Sequence, residues 1–341
     1  MSCRAGNIKL VGKHQKTGQM PAITLISNSA SFYDWEADWV SYLLGDFDIT
    51  HVLDATYSKI EKNPILVLSG QLEGEEQQIR SYVRRFRDNG FPVGIIHLSD
   101  EWLTAPVSFY QDASFVFRNY YRPDVMGRNN CHYLPLGYRA GFASKLAVKE
   151  IGNRAYTWVF AGAMKASRAT MLDAARRIPG GRHHVTDGAY DPTAGSQPLP
   201  VNDYAQLLGD AVFALCPRGN RSLDCFRLYE ALDAGCIPIV EDSGGANEWQ
   251  DIFSPASYFR IRGWRPRVCV KSIIHFFHSG YWSKVYGDFP CPTINHWQNL
   301  GVLLKRTDVE RTSRRVRAWW GAYKKQLRES VRNIVVSQFG R

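Results

Sequence analysis

Apolar and polar positions alternate between two periods along the chain. Ala22-Ile-Thr-Leu-Ile-Ser27 is a short apolar run of the kind that forms a buried strand, and Ile49 to Leu53, Ile65-Leu-Val-Leu68, Val93-Gly-Ile-Ile-His97 and Ser114-Phe-Val-Phe-Arg118 repeat it. Asp34 to Leu44 reads as one amphipathic helix stopped by Gly45. Between Glu75 and Asn89, Ile79, Tyr82, Val83 and Phe86 recur at i, i+3, i+4 and i+7, which is one helix face, closed by Gly90. Strand alternating with helix predicts a parallel sheet covered by helices on both sides.

A second cycle follows His132-Tyr-Leu-Pro-Leu-Gly-Tyr138. Tyr156 to Gly162 reads as a strand ending in a glycine turn, and Ser167 to Ile178 as a helix with Ser167 as cap and Pro179 as stop. The stretch 188–200, rich in Gly, Pro, Asp and Ser, reads as a loop. Val212-Phe-Ala-Leu-Cys216 is a strand, Pro217-Arg-Gly-Asn-Arg221 a basic loop, the stretch from Arg227 a helix, and Gly235-Cys-Ile-Pro-Ile-Val240 a further strand. Lys305 to Val336 reads as one long helix in which Arg311, Arg314, Arg315, Arg317, Lys324, Lys325 and Arg328 interleave with Trp319, Trp320 and Tyr323. Such a helix suits contact with a membrane surface, but its apolar positions suffice for packing back on the first domain, which is the expectation here. The predicted organisation is an α/β chain of two Rossmann-like domains, 1–145 and 146–305, with 306–341 returning as a helix to the first. Ligands of such sheets bind beyond the carboxyl ends of the strands.

Composition narrows the partners. The 341 residues are 45% hydrophobic and 22% charged, which predicts folded domains, not disorder. The formal charge of +10, from 42 Lys+Arg against 32 Asp+Glu, favours an anionic partner: nucleic acid, a membrane surface or a phosphorylated substrate. Seven cysteines lie scattered without a CxxC pair or zinc-finger spacing, so buried reduced thiols are expected. Met1-Ser-Cys-Arg-Ala-Gly-Asn-Ile-Lys9 has no apolar signal core and no membrane-length apolar run follows, which favours a cytoplasmic setting.

The chemistry concentrates after Phe213. A strand empties into a loop carrying Arg218 and Arg221, and free N–H groups with the positive end of the next helix favour phosphate there. On that helix Arg227 and Glu230 share a face, so Glu230 is placed either to accept bonds from ribose hydroxyls or to pair with Arg227. Leu215-Cys-Pro-Arg-Gly219, followed by Asp224-x-x-Arg227-Leu-x-Glu230-Ala-Leu-x-Ala-Gly-Cys-Ile-Pro-Ile239, resembles the signature of the exostosin family of glycosyltransferases (family 47). That resemblance implies the donor half of a GT-B fold, with the active site in the cleft between the domains. It implies that Arg168, with Lys165, contacts a donor diphosphate, that Arg218, Gly219 and Arg227 line the phosphate side, with Asp224 also among the donor-binding residues, and that Glu230 takes the ribose. Cys225 stands where the family often has a serine, which puts that hydroxyl's hydrogen bond in question.

The first domain is expected to hold the acceptor and the base. Ile95-Ile-His97-Leu-Ser-Asp100-Glu101-Trp102 is a strand emptying into a polar loop, which makes Asp100 or Glu101 the candidate base and His97 the third. Asp100 as a cap of the next turn is the structural alternative. The aromatic and polar residues of 118–122 are candidates to line an acceptor. Asp46-Phe-Asp48 has the spacing of a metal-binding Asp-x-Asp, but a helix leads into it and it reads as a turn, so no metal ligands are expected. The expected function is inverting, metal-independent transfer of a sugar from a UDP-sugar (UDP-xylose, UDP-galactose or UDP-glucuronate) to a glycan hydroxyl, with no cofactor and no nucleic-acid partner. The alternatives are a sugar-nucleotide epimerase on the same fold and a non-enzymatic basic module binding anions or nucleic acid.

Overall fold

The computed structural model describes residues 20–59, 61–165, 167–186, 197–219, 222–242 and 280–340. The chain divides into two compact units, residues 1–140 with 322–341, and residues 141–321. Unit 1 is built on six parallel strands, β1 (Ile23–Ser27), β2 (Ile49–Leu53), β3 (Pro64–Ser69), β4 (Gly94–Leu98), β5 (Phe115–Arg118) and β6 (Cys131–Tyr133), in the order β2-β1-β3-β4-β5-β6. The interior strands β1, β3 and β4 are mostly apolar and buried along nearly their whole length, because both faces are covered. Helices α1 (Ser31–Trp35), α2 (Ala37–Leu44), α3 (Glu76–Asp88) and α4 (Pro123–Met126) cover the sheet, and α3 buries the Ile79, Tyr82, Val83 and Phe86 face that the spacing predicts.

Two expectations need correction here. The helix expected over Asp34 to Leu44 is two helices that break at Glu36, whose φ of −115° leaves the helical range. The three-residue strand β6 had too short an apolar run to register.

Unit 2 carries five parallel strands, β7 (Tyr156–Ala163), β8 (Gly181–Thr186), β9 (Ala211–Cys216), β10 (Ile237–Glu241) and β11 (Thr293–Ile294), in the order β11-β10-β9-β7-β8. Helices α5 (Arg168–Ala175), α6 (Val201–Gly209), α7 (Phe226–Asp233), α8 (Tyr281–Tyr286) and α9 (Leu300–Arg306) accompany it. Each unit is thus a doubly wound α/β sheet, as expected. In each, the chain reverses its direction of winding beside the first strand, between β1 and β3 in unit 1 and between β7 and β9 in unit 2. Those two switch points are where such sheets bind ligands.

The long terminal helix is also divided. Α9 ends at Arg306, and α10 (Val309–Phe339) starts afresh where the Asp308 carboxylate accepts the Arg311 N–H at 3.0 Å. Its last third packs back in unit 1. Arg328 pairs with Asp46 at 2.5 Å and the Phe339 ring meets Phe115 edge-on at 5.6 Å. Asp46 thereby serves as a surface ion-pair partner in a turn. No helix among the described residues is long and apolar enough to cross a membrane. Five cysteines among the described residues are buried and unbridged.

Candidate functional site

The carboxyl ends of β7 and β9 gather the basic residues of unit 2. Arg168 opens α5 and is 2% exposed; its guanidinium donates to the Ala163 carbonyl at 2.7 Å and to the Arg218 carbonyl at 3.0 Å. It therefore ties the end of β7 to the loop that leaves β9. Arg227, on the first turn of α7, donates from Nε to the Ala161 carbonyl at 2.7 Å and lies 5.4 Å over the Phe160 ring. Gly162 makes this possible. Its φ of +149° suits glycine, and a Cβ there would lie 2.2 Å from the Arg227 guanidinium. Arg218 is also buried, and Gly219 beyond it turns tightly by donating its N–H to the Ser222 carbonyl at 2.9 Å. The structure thus brings Arg168, Arg218, Gly219 and Arg227 to one strand edge. Lys165 stands half-buried in the loop between β7 and α5. Arg221 lies outside the described residues.

Sequence reasoning missed Glu241, the last residue of β10. Its buried carboxylate accepts the Ser167 hydroxyl, the Trp297 ring N–H and, at 3.4 Å, the Arg218 backbone N–H. The loops after β7 and β9 are thereby pinned to a third strand end. The only sequence signal was an acidic residue directly after an apolar strand.

Asp224 and Glu230 face inward. Asp224 is fully buried, and its Oδ1 accepts the Tyr229 hydroxyl at 2.7 Å, which in turn meets the Tyr286 hydroxyl. Asp224 therefore anchors the start of α7 from within the fold, whereas it was expected among the donor-binding residues. The Cys225 thiol points to the Pro217 carbonyl at 3.6 Å, which substitutes weakly for the hydroxyl expected at that place. Glu230 is 5% exposed and bonds the Tyr204 hydroxyl, whose pKa is raised by burial first and by the Glu230 charge second.

In unit 1 the candidate bases separate. Asp100 is fully enclosed and both of its oxygens are engaged. Oδ1 accepts the N–H of Thr104 at 3.0 Å and of Ala105 at 3.2 Å, and Oδ2 pairs with Arg118 at 3.1 Å and Arg122 at 3.7 Å. A base needs a free oxygen against the substrate, so this geometry makes Asp100 a structural carboxylate. Arg118, which the sequence offered for an acceptor surface, is equally enclosed as its partner, and Asn119, Tyr120 and Arg122 are buried as well. His97 is buried between the Tyr110 hydroxyl and, at 2.9 Å, the Gly70 carbonyl. Burial, and then the Arg118 charge, hold its pKa down to about 4, so it is neutral at pH 7 and occupied on both nitrogens. Glu101 is half-buried.

Residues 142–253 match the Exostosin GT47 domain. Ribitol-5-phosphate xylosyltransferase 1 of Danio rerio is 24% identical over 142 residues, covering 40% of this chain and 27% of that protein. Exostosin-1 of Bos taurus is 44% identical over 52 residues, 15% of this chain and 6% of that protein. The matched stretches thus span 27% and 6% of the length of these relatives. Among solved structures, an α1,3-fucosyltransferase is similar at a TM-score of 0.41 with 11% identity, over 88% of this chain and 94% of that one. An α-glucosyltransferase in complex with UDP and a 13-mer DNA containing an HMU base is similar at a TM-score of 0.44 with 12% identity, over 94% and 96%.

Proposed function

We propose that this protein, whose residues 142–253 belong to the exostosin GT47 family, is a glycosyltransferase that moves a sugar from a nucleoside-diphosphate sugar to a glycan hydroxyl. The observation that carries this reading is the convergence of Arg168, Arg218 and Arg227 on the carboxyl ends of β7 and β9, the switch point of unit 2. Planar guanidinium groups match the oxygens of a diphosphate, and they stabilise it most as it leaves with the bonding electrons. In this scheme they supply the charge compensation without a metal ion. Glu230 is assigned to the ribose hydroxyls, which would replace the Tyr204 hydroxyl that its carboxylate binds now.

UDP is the proposed nucleotide, as in the sequence reading, with UDP-xylose, UDP-galactose and UDP-glucuronate as candidate donors. Transfer is proposed to invert the anomeric centre: the acceptor oxygen attacks C1 opposite the diphosphate, and the protein contributes positioning and leaving-group stabilisation. Unit 1 is assigned to the acceptor.

The test is a UDP-release screen of nucleotide sugars with and without glycan acceptors, with the product linkage read by NMR. Acceptor-dependent release is the expected result. Conversion of the donor alone, without release, would replace transfer by epimerisation. On the ribose assignment, Glu230→Ala should weaken UDP binding by calorimetry, whereas unchanged affinity together with lost stability would make Glu230 a partner of Tyr204 and nothing more.

A further inference from the structure

Among its described residues, unit 1 buries four carboxylates: Glu36, Asp54, Asp100 and Asp112. Three of them are saturated. Asp54 accepts the N–H groups of Thr56, Ser58 and Lys59 and the Thr56 hydroxyl. Asp100 has two N–H groups and two arginines. Asp112 pairs with Arg84 and Arg87. Glu36 differs. Its Oε1 accepts the Ser99 hydroxyl, and among the described residues no group bonds Oε2 and no cation pairs with the carboxylate.

The placement of Glu36 is also specific. It is the residue at which α1 breaks from α2, in the crossover that follows β1, and its own N–H and carbonyl are fixed by Phe32 and Val40 at 3.0 Å each. Ser99 directly follows β4 and has a φ of 59°. A non-glycine residue in the left-handed region stores strain, which persists where the surroundings enforce it and clusters at working sites. The carboxylate is therefore held at the carboxyl edge of the unit 1 sheet, beside its β1/β3 switch point.

We propose that Glu36 is the proton acceptor of the transfer reaction, a proposal that rests on the glycosyl-transfer reading above. As the acceptor oxygen forms its bond to C1 of the donor sugar, the proton of that hydroxyl passes to Oε2 of Glu36. The C1–O bond to the diphosphate breaks, and its electron pair leaves with the nucleotide. Protonated Glu36 then releases its proton to solvent. With 1% of its surface exposed, Glu36 meets the hydroxyl only through a local shift of the Ser99 turn.

Burial raises the Glu36 carboxyl from 4.5 to about 7, and the Ser99 bond moderates the rise. A base with such a pKa is half ionised at neutral pH and is still a strong proton acceptor. The charged groups near it are Asp34 and Asp38 on its own helices, Asp100 and Glu101 beyond Ser99, and Arg139, which lies 4.6 Å over the Trp35 ring. Lys324 and Arg328 of α10 lie over Tyr42 of α2, at 5.7 and 5.6 Å.

The experiment compares wild type, Glu36→Gln and Ser99→Ala in acceptor-dependent UDP release across pH 5 to 9, with UDP affinity measured by calorimetry. Glu36→Gln should lower kcat by about 10²–10⁴-fold, the usual weight of a general base, and leave UDP affinity intact. Ser99→Ala removes a bond that stabilises the ionised carboxylate, so the acid limb of the rate profile should move to higher pH. A merely structural role would leave that limb in place. Transfer by wild type and Glu36→Gln at similar rates overturns the role of Glu36 and leaves the transfer reading standing. Absence of transfer by wild type overturns both. If Glu36→Gln does not fold, an unmoved limb in Ser99→Ala overturns the proposal by itself.

Discussion

Asp100→Asn separates a structural carboxylate from a catalytic one. Asp100 and Arg118 are both fully buried and meet at 3.1 Å. Asparagine keeps an oxygen for the N–H groups of Thr104 and Ala105, but it turns an NH₂ donor, or nothing, toward the Arg118 guanidinium. Removing one partner of a buried ion pair costs about 3–5 kcal/mol, because the remaining charge stays in a poor solvent. Arg118 retains the carbonyls of Asn119 and Tyr120 and the Tyr110 hydroxyl, and Arg122 stands 3.7 Å from the same Asp100 oxygen. The first fact lowers the cost and the second raises it, so a loss of about 3 kcal/mol or more is expected. That is a large share of the roughly 5–15 kcal/mol by which a domain is stable. The assay is urea unfolding followed by tryptophan fluorescence, with UDP binding measured on the folded variant. Asp100→Asn should unfold at clearly lower urea, and adding Arg118→Met should recover part of the loss by removing the stranded charge. An unchanged unfolding midpoint combined with a hundredfold loss of turnover would refute this reasoning and return Asp100 to the role of base.

Glu36→Gln should change how stability depends on pH. A carboxyl raised from 4.5 to about 7 favours folding most below the lower value and loses that contribution as pH rises through the higher one, about 3 kcal/mol in total, so the variant should gain on wild type between pH 4.5 and 8 in urea midpoints. Gly162→Ala would place a Cβ 2.2 Å from the Arg227 guanidinium at a φ of +149°. The flexible arginine end should give way first, weakening UDP affinity about tenfold or more by calorimetry, the loss of about one charge-assisted hydrogen bond. Glu241→Ala strands the donors of Ser167, Trp297 and Arg218. It should cost about 1–3 kcal/mol in thermal or urea unfolding and raise the donor KM more than it lowers kcat.

Most of the architecture could be read from the chain because interior parallel strands are covered on both faces. Pro64 to Ser69 and Ile237 to Glu241 are apolar nearly throughout for that reason. Edge strands lack that signature. Β8 is Gly-Arg-His-His-Val-Thr, largely exposed, and takes its place only by pairing with β7. The break between α9 and α10 had a local signal, Asp308 as a cap, that the continuous charge pattern obscured. The proposed donor site was legible because a single strand-loop-helix segment supplies most of it. The proposed proton acceptor was not. Asp100 is neutralised by an arginine 18 residues away and Glu36 is held by a serine 63 residues away. The difference between a saturated carboxylate and an available one is therefore a tertiary property that spacing does not encode.

Backbone carbonyls orient buried guanidinium groups in both units, and this bears on function. In unit 1, Arg118 and Arg122 meet the carboxylates of Asp100 and Asp124. In unit 2, Arg168 and Arg227 bond the carbonyls of Ala161, Ala163 and Arg218, and Arg154 bonds those of Lys149, Ala211 and Ala234. A carbonyl orients a guanidinium without adding a full negative charge beside it. Backbone thus helps to fix guanidinium groups at the strand edge of unit 2, where the proposed diphosphate would arrive. Under the proposed transfer, groups held in this way need little rearrangement as charge develops on the leaving group, which is the condition for electrostatic stabilisation of a transition state.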